Sequence, residues 1–198
     1  MENLEYVKSY LSASLAVKKK LNEDENVIGS IKNAAELVES TYRAGHKLLI
    51  AGNGGSAGDA QHIAAEFVSR FFYDRPGLPA IALTTDTSML TAIGNDYGFK
   101  RLFSRQVQAQ GNSGDVFIGI STSGNSENII EAVNEAKKQG LTTIALCGEG
   151  GVLSSLVDIA LVAPSTSTPH IQECHIVMGH IICGLVEERI FPKEKPNV

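Results

Sequence analysis

"KLLIAGNGGSAGDAQHIAAEF", residues 47–67, reads as a strand, a glycine turn and a helix in one unbroken pass. Residues 47–51 form a short, largely apolar run, and Gly52, Gly54 and Gly55 then crowd a turn that ends in Ser56. From Ser56 to about Phe72 the apolar residues recur at helical spacing. A buried strand that turns on glycines straight into a helix is the repeating unit of a parallel α/β sheet. Such turns also hold anions, because the first N–H groups of a helix have no partner within it and its macrodipole is positive there.

Working outward, the same unit recurs. "DVFIGIS" (115–121) is a strand that runs into the polar turn "TSGNSEN" and a helix over about 128–139. "AIALTT" (80–85), "TTIALCG" (142–148) and "DIALVAP" (158–164) supply three more strands, and "RPGLP" (75–79) is a loop. Helical stretches surround Leu90 and Phe103, and a longer helical pattern covers about His170 to Arg189. Residues 1–46 read as two helices, the second with apolar positions at helical spacing and Gly45 at its C-terminal cap. The expected fold is α/β: a Rossmann-like three-layer sandwich around a five-stranded parallel sheet, preceded by extra N-terminal helices. No composition break divides the chain, so residues 1–198 are taken as a single domain.

The hydrophobic fraction of 43% and charged fraction of 20% suit a packed globular core. A net charge of -5, with no basic cluster larger than Lys18-Lys19-Lys20, leaves no electrostatic footprint for nucleic acid. That trio is read as a solvated helix face. No signal-peptide pattern and no bilayer-length apolar segment appears, so no membrane partner is expected. Cys147, Cys174 and Cys183 fall in no metal-ligand spacing and are read as buried free thiols of a cytoplasmic protein.

Two loops carry binding signals. Ser121, Thr122, Ser123 and Ser126 place four hydroxyls around Gly124 at the start of a helix, an arrangement suited to a phosphate monoester. A single N-cap serine would need only one of them. The first loop lacks the Lys-Ser or Lys-Thr pair of a nucleotide P-loop. Gly52, Gly54 and Ala57 do match G-x-G-x-x-A, but the acidic residue that a dinucleotide site wants is misplaced: Asp74 falls in a loop and Asp86 is too far on.

His62 and Glu66, four residues apart, share one face of the helix that the first loop opens. In "HIQECHIVMGH" (170–180), Gln172 and His180 lie two turns apart, roughly on one side. These four can form an N- and O-ligand site suited to zinc, or Glu66 and His180 can serve as general base and acid. His170 and His175 point elsewhere on the helix.

"GNGGSAGDAQHIAAEF", "LTTDTSMLTAIGNDYGF", "GDVFIGISTSGNS" and "IQECHIVMGHIICGLVE" together resemble the bacterial phosphoheptose isomerases, sugar-isomerase (SIS) domain proteins, over nearly the whole chain. The resemblance implies conversion of sedoheptulose 7-phosphate, a phosphorylated seven-carbon sugar, into D-glycero-D-manno-heptose 7-phosphate, the first step of activated-heptose biosynthesis toward products such as lipopolysaccharide or capsule. It implies a phosphate cradle at Ser56, Ser121, Thr122, Ser123 and Ser126 with Asn53 nearby, Gly54, Gly55, Asp96 and Gln172 also on substrate, and "TTD" (84–86) at the rim. Catalysis would fall to Glu66 and His180, one zinc per subunit to His62, Glu66, Gln172 and His180, and assembly to a homotetramer with contacts from the N-terminal helices. Two departures stand out: His170 occupies a position commonly Arg, and Gly58 one usually Ala or Cys. The rival within the same fold is a non-catalytic SIS protein that binds the replication initiator; it lacks the equivalents of Glu66 and His180, and this chain keeps both.

Overall fold

The computed structural model describes residues 2–193; Met1 and the last five residues, included in the expected domain span, lie outside it. Two helices, α1 (Glu2–Glu23) and α2 (Glu25–Arg43), precede the sheet. The strands are β1 (Leu48–Gly52), β2 (Ala80–Ala82), β3 (Val116–Ser121), β4 (Thr142–Gly148) and β5 (Ile159–Ala163). They pair in the order β2-β1-β3-β4-β5, every pair parallel. The remaining helices are α3 (Gly55–Val68), α4 (Thr87–Tyr97), α5 (Ser104–Gln110), α6 (Glu127–Lys138), the short α7 (Leu153–Leu156) and α8 (Thr168–Ile190).

Alternation along the strands builds two apolar layers. Leu48, Ile50, Val116, Ile118 and Ile120 pack beneath α2, α3 and α8, while Leu49, Ala51 and Phe117 pack beneath α5 and α6. The three central strands β1, β3 and β4 are buried almost throughout, which is why they read as continuous apolar runs. Phe67 of α3 is 1% exposed, and its loss to alanine would cost about 3–5 kcal/mol.

The strand order has one consequence for function. β1 and β3 are neighbours, yet β1 feeds α3 on one face of the sheet and β3 feeds α6 on the other. The chain therefore parts at their carboxyl ends and leaves the crevice in which open α/β sheets bind ligands.

Several boundaries differ from the expectation. α3 stops at Val68 rather than near Phe72, because the backbone N–H groups of Phe71 and Phe72 donate to the Glu187 carboxylate and draw the chain out of the helix. β2 keeps only three residues at the sheet edge, and α7 is an addition. Lys18 leaves the solvated trio: it is half-buried and pairs with Glu173 of α8, which also accepts from Ser14. This foothold ties the C-terminal half of α1 down, whereas Leu4, Val7, Leu11 and Leu15, spaced along one stripe, stand exposed.

Candidate active site

Gly54 enters α3 with φ 55°, in the left-handed region where a side chain is strained. Gly124 does the same in the second loop, with φ 65°, and a side chain there would also meet the Gly150 carbonyl. Both loops thus bring backbone close to a helix start without a side chain in the way. Ser56 and Ser121 are buried at the loop floors, 4% and 3% exposed.

Ser126 occupies the N-cap position of α6 but makes no side-chain capping bond. Its Oγ lies 2.9 Å from Ser121 Oγ instead, and its N–H donates to Ser121 Oγ at 3.4 Å. The hydroxyls are turned toward each other rather than spent on the cap. Ser123 Oγ accepts from the Asn125 N–H, and the Thr122 carbonyl accepts from Gly148 N–H, which ties the loop to the end of β4.

One residue the sequence reading missed joins the two loops. Asn128, 3% exposed, exchanges two amide hydrogen bonds with Asn53, each 2.9 Å. The pair spans the point where β1 and β3 send their helices to opposite faces. Its only sequence signal was a second asparagine at the end of the polar turn "TSGNSEN".

α3 and α8 run side by side in the same direction. Gln172 lies against Gly55, Ile63 against Gly179, and His62 against His180, so contacts climb both helices in step. At the upper level, His62 Nε2 is 3.0 Å from His180 Nε2 and 3.3 Å from Glu66 Oε1. Ligand atoms of His62, Glu66 and His180 all fall within 4.8 Å of one another, a donor set of two imidazoles and a carboxylate that fits zinc. The helical spacing of four residues accounts for the first pair, and only the packing of α8 on α3 brings in the third.

Gln172 stands at the lower level. Its amide packs over Gly55 at the mouth of the glycine loop, eight residues or about 12 Å along the helix axis from His180. The sequence reading placed Gln172 both on the substrate and on the zinc; in this structure its amide lies against Gly55. Thr84 approaches α3, accepting from Gln61 at 3.2 Å. Asp96 is exposed on α4 and accepts from Asn95. Asp86 caps α4 through the Met89 N–H, so the dinucleotide reading gains no ribose partner.

His170, largely buried, stacks against Tyr10 with ring centroids 4.8 Å apart. On the other side of His180, Phe71 stacks at 5.4 Å and opens a cleft of about 940 Å³ lined with Phe72, Ile181, Leu185 and Pro192. Tyr73, Glu188 and Lys193 also line it, and it reaches neither serine loop. The three thiols are buried and free, and burial holds Cys147 up to about 11.

The SIS domain family profile matches residues 9–148. A phosphoheptose isomerase 2 of Campylobacter jejuni is 59% identical over 195 residues, 98% of this chain and 97% of that protein. The phosphoheptose isomerase of Sulfurimonas denitrificans is 56% identical, over 94% of this chain and 96% of that one. Among solved structures, the phosphoheptose isomerase of Neisseria gonorrhoeae superimposes with a TM-score of 0.87 at 43% identity, covering 93% of this chain and 98% of the other. That of Francisella tularensis gives 0.90 at 39% identity, covering 95% and 100%. Fold and site together define a SIS-domain protein of the sugar-isomerase class. More narrowly, the chain belongs to the phosphoheptose isomerase family.

Proposed function

We propose that this chain is an aldose–ketose isomerase that converts sedoheptulose 7-phosphate into D-glycero-D-manno-heptose 7-phosphate. The carrying observation is the convergence of Glu66, His62 and His180 on one seam whose lower end opens at two hydroxyl-lined helix starts. A phosphate at the loops and a carbonyl near Glu66 sit at opposite ends of an extended sugar.

Ketose–aldose exchange moves one hydrogen between two carbons. Glu66 takes the proton from C1 while His180 gives one to the carbonyl oxygen at C2, which leaves a cis-enediol. The reverse pair of transfers, with Glu66 returning its proton to C2 and His180 taking one from the hydroxyl at C1, yields the aldose. Ser121, Ser126 and the α6 N-terminus hold the phosphate, and this remote binding energy keeps the open chain in place. Gln172, at the loop mouth, contacts the chain between the two ends.

Zinc held by His62, Glu66 and His180 would supply Lewis-acid polarisation of the carbonyl. Glu66 given to a metal is a weaker base, so metal binding and proton transfer draw on the same carboxylate.

The apolar stripe of α1 and the cleft beside His180 support a homotetramer in which other copies cover them. No helix among the described residues is long and apolar enough to cross a membrane. The buried free thiols favour a cytoplasmic enzyme that feeds heptose into lipopolysaccharide or capsule precursors. The initiator-binding alternative gains nothing from the geometry, since Glu66 and His180 are present and adjoin His62.

The test is incubation of purified protein with sedoheptulose 7-phosphate, with and without zinc. Aldose phosphate should form. No product and no solvent-deuterium exchange with zinc present would overturn the reading.

A further inference from the structure

A buried ion pair lies directly behind the proposed proton-transfer groups. Arg75 and Glu187 are 2% and 1% exposed at their side chains, and Arg75 Nε donates to Glu187 Oε1 at 3.1 Å. Taking two charges out of water is costly, and a buried pair is weak evidence of a stability function. What distinguishes this pair is where its other bonds go.

Arg75 Nη2 donates to the Glu66 carbonyl at 2.7 Å, and Nη1 donates to the Phe67 carbonyl at 2.5 Å and the Pro76 carbonyl at 3.0 Å. Glu66 and Phe67 belong to the last turn of α3, whose carbonyls have no partner within the helix and face the negative end of its dipole. A guanidinium from seven residues beyond Val68 caps that turn. Glu187 accepts from the Phe71 N–H at 2.9 Å and the Phe72 N–H at 2.7 Å. Burial pushes the Glu187 carboxyl up, but the two amides and Arg75 outweigh it and hold its pKa below the ordinary carboxylate value. The pair is thus fully satisfied, the condition under which a buried polar network imposes one geometry.

Each end of this network touches a reacting group through one link. Arg75 holds the backbone of Glu66 itself. Glu187 holds Phe71, whose ring rests on His180 with centroids 5.4 Å apart, and it stands two turns beyond His180 on the same side of α8. We infer that Arg75 and Glu187 are positioning residues that set the Glu66 carboxylate and the His180 imidazole at the spacing proton transfer requires.

This inference rests on the isomerase reading above, and it predicts a split between kinetic constants. The serine loops lie at the far end of the α3–α8 seam, so loosening the clasp should leave phosphate binding alone. Glu187→Gln keeps the shape and one acceptor but removes the charge. Arg75→Lys keeps the charge but replaces a planar fork with a compact ammonium, whose donors sit on one nitrogen and do not span Glu187 and the two helix carbonyls as the guanidinium does. In both, kcat for sedoheptulose 7-phosphate should fall at least tenfold with KM within about twofold, and solvent-deuterium exchange into the sugar should fall with kcat. Arg75→Lys should retain more activity than Arg75→Leu, because it still pairs with Glu187.

Thermal melts accompany the kinetics, and the comparison is made between variants folded at the assay temperature. If Glu187→Gln does not fold, Arg75→Lys carries the same test. A folded variant with unchanged kcat, or with kcat and KM degraded together, would reduce the pair to scaffold and overturn the inference. If the unmodified protein has no isomerase activity, the functional reading itself fails. Normal activity in the parent and in the clasp variants removes the clasp alone.

Discussion

Asn53 and Asn128 exchange two amide hydrogen bonds of 2.9 Å across the point where β1 and β3 send their helices to opposite faces of the sheet. The pair fixes the distance between the glycine loop and the serine loop. Asn128→Asp removes the donor to Asn53 and places a negative charge near the proposed phosphate site. KM for sedoheptulose 7-phosphate should rise on the order of tenfold or more, with a smaller change in kcat. Steady-state kinetics of the folded variant check this; an unchanged KM would separate the pair from phosphate binding.

Ser121→Ala and Ser126→Ala should each raise KM by roughly tenfold, the value of one hydrogen bond to a charged group, about 1.5 kcal/mol. The hydroxyls lie 2.9 Å apart, so the double variant should be less than additive. The parent enzyme should ignore unphosphorylated sedoheptulose. Equal turnover of the two sugars would count against a phosphate cradle.

Glu66→Gln keeps the side chain's shape and cannot accept the proton from C1. It should lose kcat by about 10²-fold or more while still binding the sugar phosphate. Deuterium exchange from solvent should drop in parallel, since it reports formation of the enediol. Near-normal exchange in this variant would move the base assignment to His180.

Metal analysis separates the two levels of the α3–α8 seam. His62→Ala should lower zinc occupancy, because His62 Nε2 lies between Glu66 and His180. Gln172→Ala, altered at the level of Gly55, should raise KM and leave zinc in place. Zinc lost from Gln172→Ala would show that the amide reaches the upper level in the metal-bound enzyme.

His175 predicts a pH effect on stability. It is 0% exposed on α8, and neither ring nitrogen has a hydrogen-bond partner of normal geometry. Burial holds its pKa down from 6.5 to about 4, and the nearby Cys147 backbone opposes the shift only in part. Above the unfolded value the imidazole is neutral in both states and contributes no slope. As pH falls from 6.5 toward 4, the unfolded chain binds a proton that the folded chain refuses, so stability falls by about 3 kcal/mol. Melts at pH 7 and pH 4.5 should show a steeper loss in the parent than in His175→Leu. Identical slopes would exclude His175 as the cause.

The last expectation concerns assembly. Leu4, Val7, Leu11 and Leu15 of α1 are exposed as one stripe, and a homotetramer would cover them. Light scattering of an active sample should give a mass near four chains. An active species at 21.1 kDa would contradict it.

The α/β class was legible in the chain because buried parallel strands leave uninterrupted apolar runs, as in Leu48–Gly52 and Val116–Ser121, and the glycine and serine turns mark where they end. The pairing of His62 with Glu66 was legible too, since helical geometry alone puts residues four apart on one face. Strand order, and with it the crevice between β1 and β3, was not, because pairing between distant strands leaves no local pattern. Nor could spacing tell which of Gln172 and His180 would meet His62. That depended on the parallel packing of α8 against α3, which aligns Gln172 with Gly55 and His180 with His62. Arg75 and Glu187, separated by more than a hundred residues, became partners only when the turn after α3 folded back over α8. Local sequence carries periodicity and caps; contact between remote segments is decided by which apolar faces close on one another.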